Sequence, residues 1–241
     1  MPTTGTQIEA ATDAEALAQQ AARWITGLAA AQSGPFAICL SGGSTPRRLY
    51  QLLASDPCRG MMPWDRVHWF WGDERFVPWD HPDSNYRMAR EAMLAHAPVK
   101  AQNIHPIETA GEPAHGARRY ERELKTYYGA EALDPTRLLF DVTLLGLGPD
   151  GHTASLFPGT AILEERQRWA AEIVGARPET RITLTYPVLE SSRHTAFLVA
   201  GTDKREILAR ALAGDQALPA ARLKPQGDLV WFVDAAARSA A

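Results

Sequence analysis

The stretch from Asp141 to Gly159, DVTLLGLGPDGHTASLFPG, limits the possible folds more than any other part of this chain. Asp141-Val142-Thr143-Leu144-Leu145 is nearly continuous in apolar and β-branched residues, the pattern of a strand covered on both faces. Gly146, Gly148 and Gly151 follow at once, allow sharp turning and leave room for a ligand close to the main chain. Asp150 and His152 therefore sit where such a strand ends, and open α/β sheets place their chemistry there. A histidine changes charge near neutral pH, and a carboxylate two residues away can fix its tautomer and raise its basicity. The plainer alternative is a histidine that caps a turn.

The rest of the chain fits around that strand. Thr12-Asp13 reads as a helix start, and Ala14 to Ala31 carries apolar residues at helical spacing until Ser33-Gly34-Pro35 ends it. Phe36 to Leu40 reads as a buried strand. Ser41-Gly42-Gly43-Ser44-Thr45-Pro46 follows, then a helix from Arg47 to Leu53 with Ser44 or Thr45 as its cap and Pro46 in its first turn. Val67 to Trp71 is the next strand, ending in Gly72-Asp73-Glu74-Arg75, and Phe76 to Asp83 is a loop. Ser84 is the expected cap of a helix reaching His96, and Ala114 to Tyr128 reads as another helix. Arg181 to Thr185, Thr195 to Ala200 and Leu229 to Val233 bring the strand candidates to six, with a late helix over Asp203 to Ala213. This alternation predicts an α/β fold: a mainly parallel sheet with helices on both faces, in one domain spanning residues 1–241.

Bulk properties exclude several function classes. Lys and Arg number 25 against 28 Asp and Glu, a net charge of −3, so no global basic field invites nucleic acid or an anionic membrane. The N-terminal residues have no basic and apolar leader pattern, and no apolar run reaches the roughly 18 residues that a spanning helix needs. The expected location is the cytoplasm. Cys39 and Cys58 are too few for a disulfide framework. The seven histidines form no HxxxH or HEXXH pair and no CxxC occurs, so no metal and no cofactor is expected. GxSxG is absent, which leaves Ser41 and Ser44 without support as nucleophiles. Gly146 to Gly151 does match GxGxxG. However, Pro158-Gly159 stops the helix a dinucleotide would need, and Asp150 would repel a pyrophosphate.

In a parallel sheet the loops after Ile38, Trp69 and Leu144 share one edge, which makes Ser41–Pro46, Asp73–Arg75 and Asp150–His152 potential neighbours. Gly42 and Gly43 expose amides, a helix N-terminus lies behind them, and Ser44 and Thr45 add hydroxyl donors, as in a phosphate cradle. A tight strand-to-helix turn explains the same residues. Arg75 offers a planar donor fork for phosphate beside Asp73, or else a salt bridge to an acidic neighbour. Arg181 and Lys204 are further cationic candidates, with surface solvation as the alternative.

With these loops in hand the chain resembles the 6-phosphogluconolactonases, cytosolic hydrolases of the oxidative pentose phosphate pathway. The matching words are SGGSTP (Ser41–Pro46), WGDERFVP (Trp71–Pro78), SNYRM (Ser84–Met88), GLGPDGHTASLFPG (Gly146–Gly159), RITLTYP (Arg181–Pro187) and the Gly201–Lys204 turn. The resemblance implies a fold shared with glucosamine-6-phosphate deaminases and ribose-5-phosphate isomerases, no metal, and a phosphorylated sugar lactone as the small-molecule substrate. It also implies a phosphate site built from the Ser41–Pro46 loop, Arg75, Arg181 and Lys204, with His152 as the catalytic histidine. For the water attack that such a histidine would assist, Asp150 is expected to orient the ring or stabilise its charged form, Asp73 to join the substrate-binding set, and amides around Gly148 to Gly151 to meet the oxyanion. Glucosamine-6-phosphate deaminases are similar, but they usually continue the DGH word with a glutamate where Leu156-Phe157-Pro158 stands and tend to carry tyrosine at Arg75. A non-catalytic sugar-phosphate sensor is the third reading; it would come with a helix-turn-helix unit, which the first 35 residues do not offer.

Overall fold

A computed structural model describes residues 6–238; the first five residues of the stretch read for a leader lie outside it. Among the described residues ten strands form: β1 (Thr6–Ala11), β2 (Phe36–Leu40), β3 (Val67–Trp71), β4 (Asp73–Arg75), β5 (Ile104–His105), β6 (Phe140–Gly146), β7 (Ala170–Ile173), β8 (Arg181–Leu184), β9 (Ser192–Val199) and β10 (Asp228–Asp234). Seven of them make one sheet in the order β1-β10-β9-β6-β2-β3-β5, with every pairing parallel. All five residues of β2 and the first six of β6 are buried, so both faces of the sheet centre are covered.

The helices form where their apolar spacing meets a start signal. Asp13 caps Ala14–Ala31 by accepting from the Ala16 amide at 2.8 Å, and Leu17, Ala21, Ile25 and Ala29, four apart, make its buried stripe. Ser84 caps Asn85–Ala89 as expected, and that helix continues as a π-helical turn to Leu94. The helix after β2 departs from expectation. It begins at Ser44, so Gly43, at φ 108°, takes the cap position and no side chain caps it. Ser44 and Thr45 are first-turn residues, because a left-handed glycine turns the chain without needing a hydroxyl acceptor.

Strand β8 corrects a second expectation. Arg181 does open a strand, but that strand lies outside the parallel sheet. It is the centre of a small antiparallel sheet, β4-β8-β7, in which Asp73–Arg75 is a strand rather than a loop. Gly72 couples the two sheets, donating to the Leu40 carbonyl (2.9 Å) and accepting from the Leu184 amide (2.8 Å).

Two buried tyrosines fasten neighbouring strand ends beneath the active edge. The Tyr50 hydroxyl donates to the Ser41 carbonyl (2.7 Å) and accepts from the Ser41 amide (2.9 Å); the Tyr120 hydroxyl makes the same pair with Trp71, both at 2.8 Å. Phenylalanine at position 120 would strand a buried donor and acceptor. Tyr120→Phe is therefore expected to lower the unfolding free energy by about 1–3 kcal/mol, read from urea denaturation.

Candidate active site

The strand order reverses between β2 and β6. From β2 the chain moves to β3 and β5 on one side, whereas β6 lies on the other side with β9 and β10 beyond it. Connections leaving β2 and β6 thus diverge, and a crevice opens outside their carboxyl ends. A cleft of about 260 Å³ occupies that place. It is lined by Ser41, Gly42 and Gly43 after β2, Asp73 and Arg75 on β4, Arg181 on β8, Gly146 to Pro149 with His152 and Ala154 after β6, and Lys204 after β9. Asn85 completes the lining.

His152 is held from two directions. Its Nδ1 is hydrogen-bonded to Oδ1 of Asp150, and its backbone N–H donates to the same oxygen at 3.2 Å. An ionised carboxylate accepts only, so Nδ1 carries the proton and Nε2 keeps its lone pair. The side chain is 24% exposed and lies on the cleft wall. Beneath it Gly148 is obligatory, since a Cβ there would fall 2.0 Å from His152 Nδ1. The close approach that this glycine permits is to the imidazole.

Asp150 stands behind the ring. Burial on its own would raise its pKa, but the hydrogen bonds from His152 and the guanidinium of Arg177 outweigh that and hold it below the ordinary carboxylate range. Arg177 grips Oδ2, leaving Oδ1 for the ring.

The same cleft carries concentrated positive charge. Arg75 and Arg181 are register partners across β4 and β8. Like charges directly opposite each other on antiparallel strands repel. Arg75 Nη1 donates to the Asp83 carbonyl (2.7 Å), while Arg181 reaches Glu179 (3.4 Å) and Asp73 (4.0 Å). Both Nε atoms are buried with no hydrogen-bond partner among the described residues. Burial first and then Arg75 push the Arg181 pKa down, with Asp73 and Glu179 opposing. An arrangement of this kind is relieved by an anion with several acceptor oxygens.

Glu74, alternating to the other side of β4, is almost wholly buried and forms no ion pair among the described residues. Four donors satisfy its carboxylate: the amides of Arg75, Asn85 and Tyr86 and the hydroxyl of Ser84. Burial raises its pKa even so, the hydrogen bonds offsetting only part. The dull alternative for Arg75, a salt bridge to a neighbouring acid, is not what forms. Glu74 organises the loop, and Arg75 is left facing the cleft.

Several expectations need adjusting. Asp73 lines the cleft, but its carboxylate accepts from Ser155 Oγ (2.6 Å) and neighbours Arg181, so it acts as counter-charge and would repel a phosphate. The amides of Gly148 and Gly151 cannot serve an oxyanion as expected, because they donate to the carbonyls of His152 (2.8 Å) and Gly148 (3.0 Å) to close the turn. The Gly42 and Gly43 amides make no backbone hydrogen bond among the described residues. Ser44 and Thr45 stand behind them, at the start of the helix. Lys204 reaches the cleft and, among the described residues, pairs only with Asp203 (3.4 Å).

Sequence reasoning missed Asn85, Ser155 and Arg177. Asn85 bonds the Asp73 carbonyl through Nδ2 (2.9 Å), and a Cβ on Gly42 would lie 2.1 Å from its Oδ1. Asn85 and Ser155 lie inside the SNYRM and DGHTASLFPG words, so a signal existed for both; Arg177 had none. Among the described residues, no group of three or more His, Cys, Asp or Glu side chains is placed to hold a metal ion. No described helix is long and apolar enough to cross a membrane.

A switch-point cleft lined by a carboxylate-oriented histidine and two register-paired arginines is that of an α/β protein suited to a phosphorylated small molecule. Residues 12–231 match the family described as glucosamine-6-phosphate isomerases/6-phosphogluconolactonase, and the chain belongs to that family. It is 46% identical over 211 residues to a 6-phosphogluconolactonase of Nostoc sp., covering 86% of this chain and 85% of the relative. The crystal structure of 6-phosphogluconolactonase from Thermotoga maritima superposes with a TM-score of 0.82 at 28% identity, covering 95% of this chain and 100% of that one. A 6-phosphogluconolactonase from Trypanosoma brucei gives 0.81 at 29% identity, with 98% of each chain covered. A monomeric glucosamine-6-phosphate deaminase, at 20% identity and TM-score 0.79 over 96% of this chain and 98% of that one, shares the fold.

Gly148→Ala is expected to push the imidazole off Asp150 while the sheet stays intact. A crystal structure of the variant with His152 unmoved would contradict this.

Proposed function

We propose that this protein hydrolyses 6-phospho-D-glucono-1,5-lactone to 6-phospho-D-gluconate, as one catalytic unit in the cytoplasm serving the oxidative pentose phosphate pathway. The observation that carries the reading is the pairing within one cleft: an imidazole whose Nδ1 is committed to Asp150, and two mutually repelling arginines with buried Nε atoms lacking partners. The 6-phosphogluconolactonases of Nostoc sp., Thermotoga maritima and Trypanosoma brucei named above support the same substrate.

Arg75 and Arg181 hold the phosphate, aided by Lys204 and the amides after β2, and so bring the lactone carbonyl toward His152. Neutral His152 takes a proton on Nε2 from a water as the water oxygen bonds to C1. The tetrahedral intermediate collapses, the bond from C1 to the ring oxygen breaks, and the imidazolium returns its proton to that departing oxygen. The new carboxylic acid ionises, releasing one proton per turnover at neutral pH. Asp150 stabilises the imidazolium while it exists. Gly148 and Gly151 have no part as oxyanion donors in this scheme, since their amides are already used. General base help is worth about 10²–10⁴ in rate.

The deaminase reading is weaker, because Leu156 and Phe157 are buried apolar residues where that branch carries a carboxylate. The deciding assay measures acid release from freshly made 6-phosphogluconolactone and ammonia release from glucosamine 6-phosphate. Acid from the first and none of the second is expected; ammonia would overturn the assignment. His152→Ala should lower kcat by about two orders of magnitude or more with KM little changed. Arg75→Ala should act mainly on KM, raising it about tenfold to a hundredfold. Steady-state kinetics at fixed salt separates the two effects.

A further inference from the structure

The segment joining β7 to β8, residues 174–180, contacts both the arginine pair and the carboxylate that holds His152. Glu179 on it meets Arg181 Nη2 at 3.4 Å, and Arg177 meets Asp150. Arg177 does not line the cleft. Its guanidinium lies over the Phe157 ring, 4.6 Å from the centroid, and the His152 ring leans on the same phenyl group at 4.8 Å. One aromatic side chain thus supports both the imidazole and the cation that holds the imidazole's carboxylate.

We propose that Arg177 is a positioning residue for the general base: by occupying Oδ2 of Asp150 it turns the carboxylate so that Oδ1 faces His152 Nδ1, and thereby selects the tautomer with Nε2 free to accept a proton.

A carboxylate attached by one short stem rotates about its last torsion, which is broad and roughly two-fold. Asp150 is about one-third exposed, so water competes for both of its oxygens. The contacts of His152 all fall on one oxygen, Oδ1. They would be met equally well if the two oxygens exchanged places, and they do not stop the group swinging toward solvent. A guanidinium fixed on the second oxygen does, because its donors lie in a rigid plane and that plane is already seated on Phe157. The tautomer matters because a ring protonated at Nε2 presents a donor to the water and cannot act as base. Outer partners that orient a metal-bound histidine cost about 10–100-fold when lost, and loss of a partner that orients a general base is expected to act on the same scale. The other charged groups lining the cleft are Asp73, Arg75, Arg181 and Lys204, and none of them is paired with Arg177 among the described residues.

This inference rests on His152 being the base in the proposed reaction, but its decisive test needs no turnover. In protein carrying ¹⁵N-labelled histidine, the ring nitrogen shifts of His152 report the tautomer directly. The wild type is expected to be almost wholly Nδ1–H. Arg177→Met keeps an unbranched apolar stem over Phe157 but removes the donors; a several-fold rise in the Nε2–H form is expected. Arg177→Lys, whose ammonium can still reach Oδ2, should recover part of the wild-type ratio. With lactone as substrate, kcat of Arg177→Met should fall on the order of tenfold with KM within about twofold. In an Asp150→Asn background the same replacement should add nothing, because no carboxylate remains to be turned. An unchanged tautomer ratio in a folded Arg177→Met protein overturns the proposal, and so does an effect confined to KM, which would make Arg177 a ligand contact. Failure of the wild type to hydrolyse the lactone would sink the proposed reaction while leaving the ring measurement to decide the role of Arg177.

Discussion

A parallel sheet delivers all its strand ends to one edge, and everything functional in this molecule depends on that constraint. Seven strands run the same way, so the residues following β2, β3, β6 and β9 meet although more than 160 positions separate Ser41 from Lys204. Direction alone would give a row of loops. The reversal of strand order between β2 and β6 makes a cleft, because the two chains leaving it travel to opposite sides. The buried tyrosines under Ser41 and Trp71 then give the edge a fixed floor: each locks a strand's last backbone groups where regular ladder pairing has ended.

The small antiparallel sheet solves a different problem. A parallel edge sets neighbouring strands side by side but offers no way to oppose two long side chains at short range. Antiparallel pairing does, since register partners sit directly across from each other. Arg75 and Arg181 are such partners, and their repulsion is tolerated because Glu74, Asp83 and Glu179 fix the surrounding chain. Glu74 shows how the charge is arranged. Its carboxylate spends its lone pairs on three amides and a hydroxyl, so it stiffens the loop without neutralising either guanidinium.

Much of this was legible in the sequence, for reasons that differ from element to element. The helix Ala14–Ala31 and strands β2 and β3 matched to the residue, because long or fully buried segments carry strong periodic signals. The neighbourhood of Arg75 and His152 followed from parallel topology alone. Strands β1, β5 and β7 were not legible: β1 is a mostly exposed edge, β5 has two residues, and β7 (AAEI) has weak strand character. Asp73–Arg75 is too short for its alternation to be recognised as a strand. Arg177 was beyond reach for another reason. Its partner Asp150 lies 27 positions away, and only the path of the β7–β8 connection brings them together.

The glycines after β6 illustrate how one motif can be read correctly for place and wrongly for cause. Their spacing suggested backbone left open for a ligand, yet the amides of Gly148 and Gly151 close the turn on itself, and the space left by the missing Gly148 side chain is filled by the imidazole. Gly151, at φ 79°, packs against Leu218, so it too serves the turn's own geometry. A general base gains from such use of glycine. Its effectiveness depends on holding one nitrogen at a fixed distance from the reacting water, and a ring packed close against the bare backbone of Gly148, tied at Nδ1 and propped by Phe157, has few ways to move. The motif is therefore better understood as a socket for His152, with the ligand meeting the one nitrogen that the socket leaves uncovered.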